Sequence, residues 1–312
     1  MATMNLETRL AQGGMLLTEG AVGQRIEREF MLAPDPHLVY APLIYDERGK
    51  TALEIIYRSY LRIAARYQLP MLLMTNTRRA NRERMAASQY GDRPVMRDYA
   101  EFLRGIADDY ACDTYIGGMI GCKHDAYSGS EGLSTADAIA FHRWQLDQFA
   151  GAPIDYLFAG IMPTLPEAVG MAQVMAEIGL PYIISLMINE RGTLLDGASI
   201  DSAISEIDSK SQRPPLSYVT NCVHPGLLRD ALAQPCNRTA NVRARFRGIQ
   251  ANAARLDLAA IDGARTLQTT TPEALCAAFQ ALHADFPMQI YGGCCGTDDR
   301  HIEALARLFA QP

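Results

Sequence analysis

Three cysteines are set apart by their surroundings. Cys294 and Cys295 are adjacent within Gly292-Gly293-Cys294-Cys295-Gly296-Thr297, and Cys222 follows Asn221 at the end of an apolar run. A structural zinc site is closed by four protein ligands, whereas a catalytic one keeps a position open. Three thiolates with an open fourth position suit a soft incoming ligand, and a thiol is the natural one. The chemistry implied is on sulfur. Zinc deprotonates a coordinated thiol, and the thiolate is the nucleophilic form. Three protein thiolates on Zn2+ leave the complex negative, so the fourth sulfur is electron-rich and a cationic donor is drawn in. Such a sulfur can attack a methyl group on an onium centre in line. A zinc hydrolase would instead favour a His-rich site whose bound water reaches a pKa near ~7. The chain has six histidines and no His-Glu-x-x-His. For the cysteine pair alone, two buried thiols or an adventitious vicinal disulfide is the competing reading.

Something must bring these sulfurs together. Short apolar runs at 14–19, 69–75, 112–117, 154–158, 182–188, 216–220, 244–249 and 287–291 read as strands. Their crowded apolar residues suit parallel strands buried on both faces. Helical spacing fills 52–67, 95–110, 134–149, 165–178, 200–209, 271–284 and 301–310. Ser134-Thr135-Ala136-Asp137 opens one of these like a capping box. Eight βα units over about 300 residues predict a single (β/α)8 TIM barrel. A doubly wound dinucleotide fold would want G-x-G-x-x-G after the first strand, and Gly20-Ala21-Val22-Gly23 does not supply it. Barrel active sites lie at the C-terminal strand ends. Cys222 falls just past the sixth run and the cysteine pair just past the eighth. Adjacent side chains on a strand point to opposite faces, an objection that a turn would remove. Gly292 and Gly293 are expected to turn the backbone before the pair, and Gly296 to release it afterwards.

Composition narrows the partners. A net charge of −6 gives no support to nucleic acid or an anionic membrane surface. No apolar run approaches the ~20 residues that span a bilayer, and the first residues lack the pattern of a signal peptide. Seven cysteines, an odd number, argue against a disulfide scaffold and for the reducing cytoplasm. Cys112, Cys236 and Cys276 read as small buried hydrophobes.

Asn221-Cys222 together with Gly292-Gly293-Cys294-Cys295-Gly296-Thr297 resembles the zinc-dependent homocysteine S-methyltransferase family. Weaker matches extend along nearly the whole chain: Glu19-Gly20-Ala21-Val22-Gly23, Thr75-Asn76-Thr77, Gly117-Gly118-Met119-Ile120-Gly121, Phe141-His142 with Gln145-Leu146 and Asp155, and His301-Ile302. The resemblance implies one barrel domain over 1–312, with Zn2+ held by Cys222, Cys294 and Cys295 as the catalytic centre. It implies methyl transfer to homocysteine to give methionine. The family's donor options are S-methylmethionine, S-adenosylmethionine and betaine, and the sequence does not choose among them; the length argues against the modular type that carries folate and cobalamin modules. Glu19, Asn76, Asn221, Gly160 and Tyr291 are the expected substrate-binding positions. The chain departs from the family where Gly160 replaces a glutamate that helps hold the amino group of homocysteine. It departs again at 250–255, where Asn252 stands without the usual proline, glycine and acid. Glu19 replaces a shorter aspartate.

These departures motivate a second reading, the same zinc–thiolate chemistry on another thiol or on a specialised methyl donor. A third is a non-catalytic zinc- or thiol-binding barrel. Among other residues, Glu19 binds the acceptor's ammonium or caps a helix. Asn76 and Asn221 orient ligands or satisfy loop backbone. Tyr115, Tyr127 and Tyr291 line a pocket for onium methyls or simply pack. His224 reads as a turn residue before Pro225, and Arg78, Arg79, Arg82 and Arg84 as a solvated helix face. Met71, Met74 and Met187 read as barrel filling.

Overall fold

Eight parallel strands close into a barrel in sequence order: β1 (Leu16–Thr18), β2 (Met71–Met74), β3 (Thr114–Gly121), β4 (Tyr156–Met162), β5 (Tyr182–Leu186), β6 (Ser217–Val223), β7 (Phe246–Ala251) and β8 (Ile290–Gly293). The seam pairs Leu16 with Ile290 and Leu17 with Tyr291. This computed structural model describes residues 4–124, 126–127, 129–256 and 267–310. The other positions of the domain expected over 1–312 lie outside the described residues. The predicted TIM barrel is the observed fold.

Strand parity sorts the core into two compartments, as a side-chain period of two requires. Leu16, Leu72, Met74, Tyr115, Tyr156, Phe158, Ile183, Val219 and Ile290 fill the barrel interior. Their neighbours Leu17, Leu73, Ile116, Leu157, Ile184, Tyr218 and Tyr291 belong to the outer layer between strands and helices. Tyr291 therefore faces away from the barrel axis. Its ring packs near Phe279 and Phe309, and its hydroxyl meets His283 Nδ1 at 2.5 Å. This corrects its expected place in the substrate pocket. Tyr115 faces inward, but at the opposite end, where its hydroxyl donates to the Met4 carbonyl.

The predicted helices appear as α3 (Glu47–Tyr67), α5 (Val95–Ala107), α6 (Thr135–Asp147), α7 (Leu165–Ile178), α8 (Ile200–Lys210), α11 (Pro272–Asp285) and α12 (Asp299–Phe309). The first begins five residues before the predicted 52, because the Asp46 carboxylate accepts from Gly49 N at 2.7 Å and caps it. At α6 the Ser134 hydroxyl accepts from Asp137 N, but Asp137 bonds that hydroxyl rather than the backbone, so the box is half made. Sequence periodicity missed α1 (Leu6–Ala11), α2 (Gly23–Phe30), α9 (Pro225–Ala233) and α10 (Ala240–Arg245), and the helix expected to carry Arg78, Arg79, Arg82 and Arg84 is the short α4 (Arg82–Ala87). None of them exceeds nine residues, too few turns to display a period. Buried Leu6 and Leu10 of α1 join the interior cluster and close the bottom of the barrel. No described helix is long and apolar enough to cross a membrane. Cys236 is exposed and Cys112 and Cys276 are half-buried, unlike the buried thiols expected.

Candidate metal centre and substrate pocket

Cys222 reaches the barrel mouth through a β-bulge. Asn221 pairs with Gln250 and Val223 with Ala251, so β6 carries one residue more than β7 across this step. The extra residue is Cys222, in the left-handed region at φ +59°. That conformation is unusual for a residue with a Cβ and costs on the order of 1–3 kcal/mol. Its effect is to free two consecutive side chains from alternation, and both Asn221 and Cys222 line the cavity. Asn252 secures the bulge, donating from Nδ2 to the Cys222 carbonyl at 2.8 Å. The device recurs on β4, where the register slips between Ala159 and Met162 and Ile161 sits at φ +59°. Gly160 and Ile161 accordingly both face the cavity.

Cys294 and Cys295 follow directly on β8. The Cys294 amide donates to Ala251 O at 2.7 Å and the Cys295 carbonyl accepts from Ala253 N at 2.9 Å. Thr297 ties the loop shut, its hydroxyl donating to Cys294 O at 2.7 Å. Gly292 and Gly293 do not turn the chain, contrary to the sequence-based expectation. They are strand residues, and their missing side chains make room for Thr18 and Thr297, whose atoms a Cβ would strike. Gly296 is the residue that turns, at φ +80°.

The three sulfurs lie within 4.8 Å of one another. Contacts from the Cys294 and Cys295 thiols, supported by Tyr127 and Arg78, hold Cys222 well below the usual thiol range despite its burial. The same contact with Cys222 pushes Cys294 and Cys295 up. The cluster thus parts with one proton readily and keeps the others, titrating as a unit. A divalent cation can take the place of those protons, and an all-sulfur donor set suits a soft or borderline metal such as Zn2+. The sulfurs therefore fit the metal implied for them.

They open on a cavity of about 290 Å³ lined by Glu19, Met74, Asn76, Arg78, Met119, Tyr127 and Gly160, among others. Glu19 does not cap a helix. Its Oε1 accepts from Met74 N at 3.2 Å, its Oε2 has no partner among the described residues, and burial pushes its pKa to about 8. Asn76 donates to the hydroxyls of Tyr57 and Tyr99 at 2.8 and 2.9 Å. Asn221 belongs to a polar layer across the barrel. Its Oδ1 accepts from Ser185 Oγ, its Nδ2 donates to Gln250 Oε1, and Gln250 Nε2 donates to Thr18 Oγ1 at 3.0 Å. Met74 lines the pocket, whereas Met71 and Met187 fill the outer core. His224 takes no part; its Nδ1 accepts from Gly226 N at 3.0 Å to cap α9, and burial lowers its pKa to about 4.

Arg78 and Arg79 do not lie on the helix face expected of them. Asn81 caps α4, which begins only at Arg82, so the two arginines precede the helix and line the pocket. Tyr40, far from any motif, also reaches the cavity.

The sequence pattern of the homocysteine S-methyltransferase family matches residues 16–309, and the chain belongs to that family. No curated protein sequence matches it. Among solved structures, the metallated form of the Escherichia coli homocysteine methyltransferase MmuM is similar at 18% identity and a TM-score of 0.76. The match covers 97% of this chain and 99% of that one. The oxidized form of MmuM matches at 17% identity and a TM-score of 0.77, over the same shares of both chains.

The backbone at Cys222 gives a stability test in metal-free protein. Replacing an alanine by glycine ordinarily destabilises by ~0.5–1 kcal/mol. At a positive φ that order inverts, so Cys222→Gly will be at least as stable as Cys222→Ala in urea denaturation with chelator present. A less stable glycine variant would mean that the bulge is not left-handed.

Glu19 gives a pH test. Its folded pKa of about 8 exceeds the unfolded value near ~4.3, so the folded state holds an extra proton between them and stability falls as pH rises through that window. Glu19→Gln will lack this component. In metal- and ligand-free protein its stability relative to wild type will improve from pH 5.5 to pH 8, by a few kcal/mol at most. Parallel pH profiles for the two proteins would contradict a protonated Glu19.

Proposed function

We propose that this chain is a zinc-dependent methyltransferase. It moves a methyl group from an onium donor (S-methylmethionine, S-adenosylmethionine or betaine) to homocysteine, giving methionine. The observation that carries this reading is the convergence of Cys222, Cys294 and Cys295 within 4.8 Å at the mouth of a cavity that also holds an unpartnered carboxyl oxygen.

Zn2+ bound by the three cysteines would supply a Lewis acid that keeps the acceptor thiol deprotonated at neutral pH, and the surrounding thiolates would favour a cationic donor. The protein's own residues do the rest. Cys222, Cys294 and Cys295 are fixed by the bulge and the Thr297-closed loop, so little reorganisation accompanies acceptor binding. Glu19 offers Oε2 to the acceptor's ammonium, and the proton it carries when the pocket is empty leaves as that ion pair forms. Tyr127 presents an aromatic surface beside the sulfurs, suited to onium methyls. In the transfer the acceptor sulfur forms a bond to the methyl carbon. The donor's S–C or N–C bond breaks, its electron pair staying on a neutral sulfide or amine.

The thiol cluster must remain reduced to bind metal, in keeping with a cytoplasmic enzyme whose cysteines are all free. One domain over 1–312 would carry the whole activity. A different thiol acceptor is favoured by one observation at Gly160. A Cβ there would meet Met119 Sδ at 3.4 Å and nothing closer, so the space for a side chain exists and is left uncharged.

Zinc-replete protein given homocysteine and S-methylmethionine will form methionine, measured by mass spectrometry, and Cys222→Ala will form none. Methionine formed equally by the variant would remove the cysteines from the reaction. Gly160→Glu will lower the KM for homocysteine severalfold if the missing acid is what weakens its binding. An unchanged or higher KM would mean that Gly160 does not face the acceptor.

A further inference from the structure

Among the described residues, Arg78 has neither a carboxylate nor a hydrogen-bond partner, although it stands in the wall of the acceptor cavity. The other basic residues around it are engaged. Lys123 pairs with Glu83 at 3.1 Å, Arg79 donates to His124 O at 2.9 Å, and Arg84 donates to His37 O at 2.8 Å. No described carboxylate or hydrogen-bond acceptor engages Arg78, which is half-buried in the cavity wall.

Its path is fixed by Gly121, the last residue of β3. A Cβ on Gly121 would run into Arg78 Cγ and would stand 3.1 Å from both Arg78 Cδ and the Arg78 carbonyl. Gly121 has no left-handed φ to explain it, so the glycine serves to let the arginine stem cross the end of the strand. The guanidinium then comes within electrostatic reach of Cys222 and Cys295. On the same cavity, Glu19 keeps a carboxyl oxygen without a partner among the described residues. Glu19 and Arg78 make no hydrogen bond or ion pair with each other, and Glu19 takes up its negative charge only as an ammonium group arrives.

We propose that Arg78 binds the carboxylate of the acceptor, so that Arg78 and Glu19 together select a thiol carrying both a carboxylate and an ammonium group. A guanidinium recognises a carboxylate through two parallel hydrogen bonds, a geometry that a lysine does not reproduce. The inference rests on the methyltransferase reading of this site. It adds the residue that reads the acidic end of the acceptor. The rival role for Arg78 is as a counter-charge to the sulfurs alone.

Ligand and residue are removed separately to decide between them. Binding of homocysteine, 3-mercaptopropylamine (which lacks the carboxylate) and 4-mercaptobutanoate (which lacks the amine) is measured by titration calorimetry on the full zinc-loaded chain. Wild type, Arg78→Met and Arg78→Lys are compared after their zinc content is shown to be equal. Wild type will bind homocysteine about tenfold or more tighter than 3-mercaptopropylamine, as expected for one lost charged hydrogen-bonded contact. Arg78→Met will lose that advantage, weakening homocysteine and 4-mercaptobutanoate while leaving 3-mercaptopropylamine unchanged. Arg78→Lys will recover part of it. Equal weakening of all three thiols by Arg78→Met would assign the arginine to the sulfurs and overturn the proposal. Carboxylate-blind binding by wild type would overturn it as well, with the thiol-binding function intact. Failure of the zinc-loaded wild type to bind any of the three would overturn the methyltransferase reading itself, and the proposal with it.

Discussion

The site depends on a single inserted residue. Strict alternation along β6 would turn Cys222 outward wherever Asn221 turns inward, since neighbouring strand positions face opposite sides. The bulge breaks that parity, and the left-handed backbone at Cys222 is what doing so costs. The strain persists because its surroundings hold it. Asn252 grips the Cys222 carbonyl, Cys294 N is tied to Ala251, and Asn221 is locked from both sides by Ser185 and Gln250. The sulfurs are thus positioned by the backbone of three strands rather than by loose loops, as a pre-organised centre requires.

Around this centre the barrel spends its polar groups sparingly. Below the cavity, the chain of hydrogen bonds through Ser185, Asn221, Gln250 and Thr18 satisfies every amide it includes and gives the pocket a rigid floor. Above it, Glu19 and Arg78 keep unused hydrogen-bonding capacity among the described residues, in a wall that also carries Met74, Met119, Ile161 and Tyr127. Burying polar groups without partners is unfavourable, so such groups gathered at one mouth point to an occupant. The second bulge, at Ile161, turns the consecutive residues Gly160 and Ile161 onto the same cavity.

Much of this was legible in the sequence. The eight apolar runs and the longer helices follow from periodicity, and the two cysteine motifs followed from their placement after the sixth and eighth runs. Tyr291 was misplaced although its parity was readable: Ile290 packs inside the barrel, so its successor must face out. The glycines before the cysteine pair looked like turn residues, because a sequence does not reveal that Thr18 and Thr297 need their space. Arg78 was hidden by company, since it runs on into Arg82 and Arg84. Asn81, an N-cap residue type standing before Arg82, was the available sign that the helix starts later. The bulge at Cys222 left no trace in residue type, because left-handed backbone announces itself only when it is glycine.

We propose that Cys222, Cys294 and Cys295 act as one metal centre with a position reserved for a thiol. Zinc-edge X-ray absorption counts sulfur neighbours directly and is indifferent to turnover. The expected result is three sulfurs around zinc in the substrate-free protein and four after homocysteine is added. Fewer than three sulfurs at the outset, or a count that homocysteine does not change, would contradict it.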